Sequence, residues 1–174
     1  LWDRAKSDET ILFMKKEDPN YWSLDWTKSS FQNLDIETVI FLDQKGNIFR
    51  AGYFDPVINE LENLPPDLEG LFSPGSEINT YILEGKQLHG VEIVTEGMLF
   101  FSSVQISSGE SSENQYGYLI FGRRIDADLI KSFGIEVGAD LEANPIDQSP
   151  PDFETILETL PPGSRSHIQV LSDN

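Results

Sequence analysis

Five β-rich runs joined by short polar turns constrain the fold of this chain more than any other feature. Residues 37–42 and 48–53 are two such runs, and the segment between them contains a glycine and an asparagine that tolerate the positive φ of a tight turn. Three further runs follow at 91–95, 98–106 and 116–125, joined by a Glu-Gly pair and by a serine-rich loop. The sequence therefore predicts a hairpin and a three-stranded antiparallel meander in one sheet.

Helical patterns surround these runs. Residues 1–16 carry an apolar stripe at helical spacing and are followed by a Pro-Asn stop. Shorter helices are predicted at 27–34, at 64–72 and at 127–133, where Gly134 ends the last one. This order predicts an α/β (α+β) fold like that of PAS or Cache domains. Its antiparallel sheet would have a long N-terminal helix and flanking short helices, with helices on one face and a pocket on the other.

The composition changes in the last quarter of the chain. Residues 134–174 contain eight acidic residues against one basic residue, Arg165, and five of the ten prolines. We predict one folded domain over residues 1–133 and an acidic, proline-rich extension over residues 134–174, with a helix near 152–160 and a strand at 167–171. Because the first helix lacks a capping residue and the last strand has no visible partner, we expect the chain to be a piece of a longer protein.

The chain is strongly acidic, with 30 acidic and 12 basic residues and a formal net charge of -18. Proteins bind nucleic acids and anionic membrane surfaces mainly through Lys and Arg, which neutralise phosphates. We therefore expect neither as a partner. The sequence contains no run of about 20 apolar residues that could cross a bilayer.

Motifs for catalysis or metal binding are absent from the sequence. It contains no cysteine, which excludes disulfides and thiolate zinc sites, and its two histidines, His89 and His167, lie far apart. No nucleophile elbow, phosphate-binding loop or dinucleotide fingerprint occurs. We predict that the chain is not an enzyme and carries no metal or cofactor. A pair of glycosidase carboxylates is the arrangement that the sequence leaves open.

The last predicted strand carries a candidate for ligand recognition. Strand alternation divides its residues between two faces, with Leu119, Phe121, Arg123 and Ile125 on one and Tyr118, Ile120 and Arg124 on the other. A charged group in an apolar row needs an anionic partner where water is excluded. The partner of Arg123 is either a carboxylate of the chain, such as Asp3 or Asp43, or the carboxylate or phosphate of a ligand.

Two further groups of residues are candidates for function. Five aromatic residues either line a ligand pocket or pack in the core, namely Trp22, Trp26, Tyr53, Phe54 and Tyr81. The apolar stripe of the N-terminal helix, a candidate surface for dimerisation and signalling, consists of Trp2, Ala5, Leu12 and Phe13.

Four motifs occur in a distinctive order along the chain: a Trp-Asp pair on the first helix, a tyrosine-rich stretch, a strand ending in an Asp-x-x-Gly turn, and a strand leading through Gly-Arg to an aspartate. They occupy Trp2-Asp3, residues 20–22, residues 39–46 and residues 117–126. In this order the motifs resemble the fourth subtype of the CHASE extracellular sensor domains. The resemblance covers about residues 1–133, and Arg4 stands where the family usually has a second acidic residue.

The resemblance implies a domain outside the cell membrane, periplasmic or extracellular, between two transmembrane helices of a receptor. The cytoplasmic part of such receptors is commonly a histidine kinase or a diguanylate cyclase. The first helix, with Trp2, Asp3, Leu12 and Phe13, would then continue from the first membrane span and carry the signal.

We interpret the chain as the ligand-sensing input domain of such a receptor, with a sensor histidine kinase as the expected output. The expected partners are a small, anionic ligand and a second copy of the chain, which would form a homodimer through the N-terminal helix. The residues expected to bind the ligand are Arg123, Trp22, Trp26, Tyr53 and Tyr81. The alternative is a dimerising spacer without a ligand. A deep aromatic cavity would favour sensing, and a filled core would favour the spacer.

Overall fold

The computed structural model describes residues 2–85, 87–95, 97–108 and 114–141, and it confirms the predicted α+β fold. Six strands of these residues form one antiparallel sheet in the order β3-β2-β1-β6-β5-β4. The strands are β1 Thr38–Leu42, β2 Ile48–Asp55, β3 Glu60–Glu62, β4 Leu88–Val94, β5 Gly97–Ser107 and β6 Gln115–Arg124. The helices are α1 Trp2–Ala5, α2 Asp8–Met14, α3 Tyr21–Asp25, α4 Lys28–Leu34, α5 Pro66–Phe72, α6 Glu77–Leu83 and α7 Ala127–Val137.

The predicted hairpin is formed by β1 and β2. Asp43 organises the turn, because its Oδ1 accepts hydrogen bonds from the backbone N–H groups of Lys45 and Asn47 at 2.8 and 2.9 Å. Gly46 adopts a φ of +81° in this turn, a conformation that glycine reaches at little cost. The predicted meander of β4, β5 and β6 is also present, and β1 pairs with β6 to join the hairpin to it.

The long N-terminal helix predicted over residues 1–16 is wrong, because Ser7 separates α1 from α2. Ser7 is extended, with a φ of -71° and a ψ of 145°. Its hydroxyl accepts a hydrogen bond from the N–H of Thr10 at 3.2 Å and so caps α2. The apolar spacing resembled one helix because Ala5 of α1 and Phe13 of α2 are buried in the same core.

Helices cover both faces of the sheet, whereas the sequence predicted them on one face only. Val39 and Phe41 of β1 pack in a core with residues of α1, α2, α3 and α4. Their neighbours in β1, Ile40 and Leu42, pack in a second core with residues of α5 and α6. We call these two sides of the sheet the N-terminal face and the α5 face.

Strand β6 shows the alternation that the sequence predicted. Leu119 lies in the core of the N-terminal face, and Ile120 lies in the core of the α5 face. The two consecutive arginines at the end of this strand, Arg123 and Arg124, therefore project to opposite faces of the sheet.

Three elements were not predicted, namely α3, β3 and α6, and one helix is longer than expected. The short strand β3 is exposed throughout, and α6 begins after Ser76, whose hydroxyl accepts a hydrogen bond from the N–H of Asn79 at 3.1 Å. Helix α7 continues through Gly134 instead of ending there. It stops before Gly138, whose φ of +68° is typical of a residue that follows a helix.

The described residues up to Ala127 form one compact unit, and the described residues from Asp128 to Leu141 group separately. The predicted domain boundary between 133 and 134 stays a prediction. The helix predicted near 152–160 and the strand predicted at 167–171 lie outside the described residues. Helix α7, with 11 residues, is the longest one described, and no helix in the described ranges is suited to crossing a bilayer.

Candidate ligand-binding site

A cavity of about 390 Å³ lies on the α5 face of the sheet, at the start of α5. Its apolar wall includes Tyr53, Leu68, Val94 and Leu99. The charged part of the lining comes from Arg124, the last residue of β6, from Glu37, which directly precedes β1, and from Asp67 of α5. We call this space the α5 cavity. Its size and its few polar groups among apolar walls are typical of small-molecule sites.

Arg124 and Glu37 form an ion pair in the lining. The Nε atom of Arg124 donates a hydrogen bond to Oε2 of Glu37 at 2.6 Å, and the two side chains are only 18% and 11% exposed. Burial raises the pKa of Glu37 above its ordinary value, although the hydrogen bond and the charge of Arg124 oppose this shift. Because electrostatic interactions strengthen where water is excluded, this pair can orient the polar group of a ligand.

A buried hydroxyl lies on the same face as the α5 cavity. Thr38 is fully buried, and its Oγ1 has no hydrogen-bond partner among the described residues. The sheet register pairs Thr38 with Tyr53 on one side and with Gly122 on the other. A Cβ atom at Gly122 would come within 3.2 Å of Leu99 Cδ1 and of Thr38 Cβ, so glycine allows Leu99 to pack against the backbone of β6 beside Thr38. A ligand that reached the Thr38 hydroxyl would satisfy it.

Asp67 ties the start of α5 to the end of β4. Its Oδ2 accepts a hydrogen bond from the N–H of Thr95 at 2.8 Å, and its Oδ1 accepts one from the N–H of Leu68 at 2.9 Å. The hydrogen bond from Thr95 is the main cause that lowers the pKa of Asp67 below its ordinary value. Since all three residues line the α5 cavity, this contact closes part of its rim.

The family of the chain follows from its sequence. The sequence profile of the CHASE4 domain matches residues 1–144. The chain belongs to the CHASE4 family. This confirms the resemblance that the four motifs indicated. No curated protein sequence matches the chain.

Solved structures that resemble this CHASE4 domain include the extracellular domain of the "putative histidine kinase vpHK1S-Z8". It is 14% identical, with a TM-score of 0.51, and the match covers 76% of this chain and 51% of that chain. Another is a domain of a "putative sensory box/GGDEF family protein" from Vibrio parahaemolyticus, 13% identical with a TM-score of 0.47, for which the match covers 68% and 48%. The chain thus spans about half the length of these structures. The first of them supports the α+β sensor-domain fold.

In this CHASE4 domain Arg123 lies on the N-terminal face, where it forms an ion pair with Asp35. The carboxylates suggested by the sequence, Asp3 and Asp43, were therefore wrong. Asp35 ends α4 in the left-handed conformation, with a φ of 55°, while Asp43 binds the backbone of its own turn. The Asp35 side chain is 71% exposed. Arg123 lines a separate cavity of about 240 Å³, and its role as an anion-binding residue stays a prediction.

The aromatic candidates lie in different places rather than in one site. Tyr53 lines the α5 cavity. Trp22 and Trp26 line another cavity, of about 470 Å³, on the N-terminal face. Tyr81 is exposed on α6 and lines none of these three cavities. Of the residues predicted to bind a ligand, the structure brings together only Trp22 and Trp26.

Three charged residues of the α5 cavity were missed by the sequence analysis, namely Glu37, Asp67 and Arg124. The signal for Arg124 was present, because strand alternation aligns it with Tyr118 and Ile120. No local signal marked the two acidic residues, since their place depends on packing between distant segments. Among the described residues, no group of three or more His, Cys, Asp or Glu side chains is arranged to bind a metal ion.

The residues assigned to a signalling helix belong to two helices. Trp2 and Asp3 lie in α1, and Leu12 and Phe13 lie in α2. Asp3 is exposed, and the side chain of Trp2 is outside the described part. Phe13 is buried in the core of the chain itself, whereas Leu12 is exposed. Of the two α2 residues, only Leu12 is therefore available to a partner.

Arg4 anchors α1 to the rest of the N-terminal face. Its Nη1 donates a hydrogen bond to Oδ1 of Asp25 at 3.1 Å. Its guanidinium carbon lies 5.3 Å from the ring centroid of Trp26, a distance at which a cation is attracted to an aromatic face. Helix α1 thus contacts Trp26, one of the residues that line this cavity.

Proposed function

We propose that this CHASE4 domain is the extracytoplasmic input domain of a membrane-bound receptor with a histidine kinase output, and that it senses a small organic ligand in the α5 cavity. The observation that carries the proposal is the Arg124–Glu37 ion pair in the lining of an apolar cavity. Burying two charges costs free energy, and well-packed apolar residues often stabilise a fold as well or better. Recognition of a ligand explains the pair more readily than stability does.

The lining indicates the chemistry of the ligand. Tyr53, Leu68 and Leu99 would contact an apolar body, and Arg124 would pair with an anionic head group such as a carboxylate. This anion would displace Glu37. Since burial raises the pKa of Glu37, this residue takes up a proton more readily than an ordinary glutamate. It can therefore leave the pair without remaining as an uncompensated buried charge.

The α5 cavity is connected to elements that could pass on a signal. Asp67 and Thr95 join α5 to the end of β4 at its rim, and Arg124 closes β6 shortly before α7 begins. A ligand that draws Arg124 away from Glu37 acts on the end of β6. If the ligand binds one arrangement of these elements more tightly than another, it shifts the equilibrium between them.

We also propose that the receptor is a homodimer and that Leu12 is part of its contact. Leu12 is an apolar residue exposed on α2. In the full-length receptor, Leu12→Asp should abolish signalling while ligand binding to the domain is retained. Leu24→Asp is the matched control, because Leu24 is also exposed but lies on α3. Normal signalling by Leu12→Asp, or an equal loss in both variants, would contradict this contact.

A second candidate function is a spacer that holds receptor subunits together without a ligand. An exposed apolar patch on β4 and β5 favours it. Val91 lies directly opposite Phe100, and both side chains are exposed together with that of Ile93. Patches of this kind are typical of surfaces that bind another protein.

Ligand-induced thermal shifts separate the two functions. We would measure the midpoint of thermal unfolding with a panel of small aliphatic carboxylates. A ligand at about 100 times its Kd stabilises the folded state by about 2.7 kcal/mol, or about 5–10 °C for a chain of this size. We expect such a compound to shift the wild type and Arg123→Met but not Arg124→Met. If no compound shifts the wild type, or if Arg124→Met responds like the wild type, sensing in the α5 cavity is wrong.

A further inference from the structure

The tryptophan-lined cavity on the N-terminal face has the features of a second binding site. We call it the Arg50 cavity, because Arg50 of β2 lines it together with Trp22, Trp26, Phe31, Gly52 and Leu61. Gly52 and Tyr53 are neighbours in β2, so they face opposite sides of the sheet and line different cavities. The Arg50 cavity therefore shares no wall with the α5 cavity. A ligand in it would lie next to α1, since Trp26 contacts Arg4.

Arg50 differs from the other described arginines. Arg4, Arg123 and Arg124 each form an ion pair with a carboxylate. The side chain of Arg50 has no hydrogen bond or ion pair with any described residue, although the chain has 30 acidic residues and 12 basic ones. Its guanidinium carbon lies 5.0 Å from the ring centroid of Trp22. Cation–π attraction of this kind holds the guanidinium at the cavity and leaves its N–H groups for an anion.

Glu62, the acidic residue of the lining, does not form an ion pair with Arg50. Glu62 borders the cavity, but the register of β2 and β3 places it directly opposite Tyr53. Opposed residues of an antiparallel pair point to the same face. The Glu62 carboxylate is therefore directed to the α5 face, away from Arg50.

Gly52 sets the position of the aromatic wall. A Cβ atom at this residue would come within 2.9 Å of Trp22 Cζ2 and within 3.2 Å of Phe31 Cζ. Glycine thus allows both rings to lie directly against the backbone of β2. The aromatic wall and the guanidinium therefore lie beside each other at the cavity.

We propose that the Arg50 cavity binds an aromatic carboxylate. The carboxylate pairs with the guanidinium of Arg50, whose planar fork offers two parallel N–H donors. The ring packs among Trp22, Phe31 and Leu61, where aromatic contacts add to the burial of apolar surface. An aliphatic anion would leave the aromatic wall without a matching partner, and a neutral ring would leave the guanidinium without one.

Calorimetric titration of the full chain tests this proposal, with benzoate, 4-hydroxybenzoate and indole-3-acetate as probes. We expect saturable binding of the three carboxylates. Neutral benzamide should bind at least about tenfold more weakly, because a hydrogen bond to a charged group is lost. Arg50→Gln should lose affinity for the carboxylates to a similar extent. Arg50→Lys, which keeps the charge but not the planar fork, should bind with intermediate affinity. Arg123→Gln is the matched control and should bind like the wild type.

Three results would overturn the proposal. The first is that all three carboxylates bind more weakly than about 10 mM. The second is that Arg50→Gln binds them as tightly as the wild type while its thermal midpoint shows a folded protein. The third is that Arg124→Met abolishes binding and Arg50→Gln does not, which would assign these compounds to the α5 cavity. If no ligand binds in the α5 cavity, binding in the Arg50 cavity is not thereby excluded. Arg124→Met tests the first cavity, and Arg50→Gln tests the second.

Discussion

Replacing Arg124 by Met should destabilise the domain far more than replacing Arg123 by Met, although the two residues are neighbours in β6. Arg124→Met leaves the carboxylate of Glu37 desolvated and without its partner. Breaking a buried ion pair in this way costs about 3–5 kcal/mol. We expect the lower end, about 3 kcal/mol, because the two side chains keep 18% and 11% of their exposure.

The Arg123 pair is different because its carboxylate is in water. The Asp35 side chain is 71% exposed, so Arg123→Met releases it into solvent and should cost only about 0–1 kcal/mol. Urea denaturation at neutral pH measures both free energies of unfolding. The double change Glu37→Gln with Arg124→Met should recover much of the loss, because no charge remains buried. Equal losses in the two single variants, or a double variant as unstable as the sum of its single changes, would refute this reasoning.

The pH dependence of Arg124→Met provides an independent check. Burial raises the pKa of Glu37 in the folded state, and removing Arg124 removes the group that opposes this shift. In the variant, the folded state therefore binds a proton at Glu37 more tightly than the unfolded state does. The stability that protonated Glu37 contributes is fully present below an ordinary glutamate pKa of about 4.3. It is lost as the pH rises through the pKa of Glu37 in the folded state. The difference in the free energy of unfolding between the wild type and Arg124→Met should therefore decrease as the pH falls. A difference that does not change with pH would contradict a buried Glu37 carboxylate.

Two further predictions concern the walls of the cavities. Gly52→Ala should lower the free energy of unfolding by about 1–3 kcal/mol, because the added Cβ would lie 2.9 Å from Trp22. Gly70→Ala in α5 should raise the free energy of unfolding by about 0.5–1 kcal/mol, because a Cβ there meets nothing within 4 Å. Equal effects of the two changes in urea denaturation would contradict this. Asp67→Asn should lose stability at neutral pH, because the Thr95 hydrogen bond lowers the pKa of Asp67 and so stabilises the fold above an ordinary aspartate pKa of about 3.9. That stabilisation is lost as the pH falls through the pKa of Asp67 in the folded state. A difference in thermal midpoint between the wild type and Asp67→Asn that does not change with pH would count against it.

The sheet was predictable from the sequence because its signals are local. The turn at Asp43 and Gly46 and the alternation in β6 depend on neighbouring residues, and the structure has both. The break in the N-terminal helix was also encoded locally, in the cap that Ser7 provides for Thr10, but the continuous apolar spacing concealed it.

The candidate site was less predictable, because its residues come from distant segments. The sequence showed two consecutive arginines on opposite faces, but not that Arg123 would meet the exposed Asp35 while Arg124 would meet the buried Glu37. That difference depends on where packing places Asp35, at the end of α4, and Glu37, directly before β1. The aromatic candidates were separated for the same reason, since Trp22 and Tyr53 lie on opposite faces of the sheet.

We expect the α5 cavity to bind its ligand through Arg124. The most direct measurement is a crystal structure of the chain with a carboxylate that raises its thermal midpoint. The compound should occupy the space between Tyr53, Leu68 and Leu99, with its carboxylate about 3 Å from the guanidinium of Arg124 and with Glu37 displaced. A compound bound elsewhere, with the Arg124–Glu37 pair intact, would show that Arg124 does not bind the ligand.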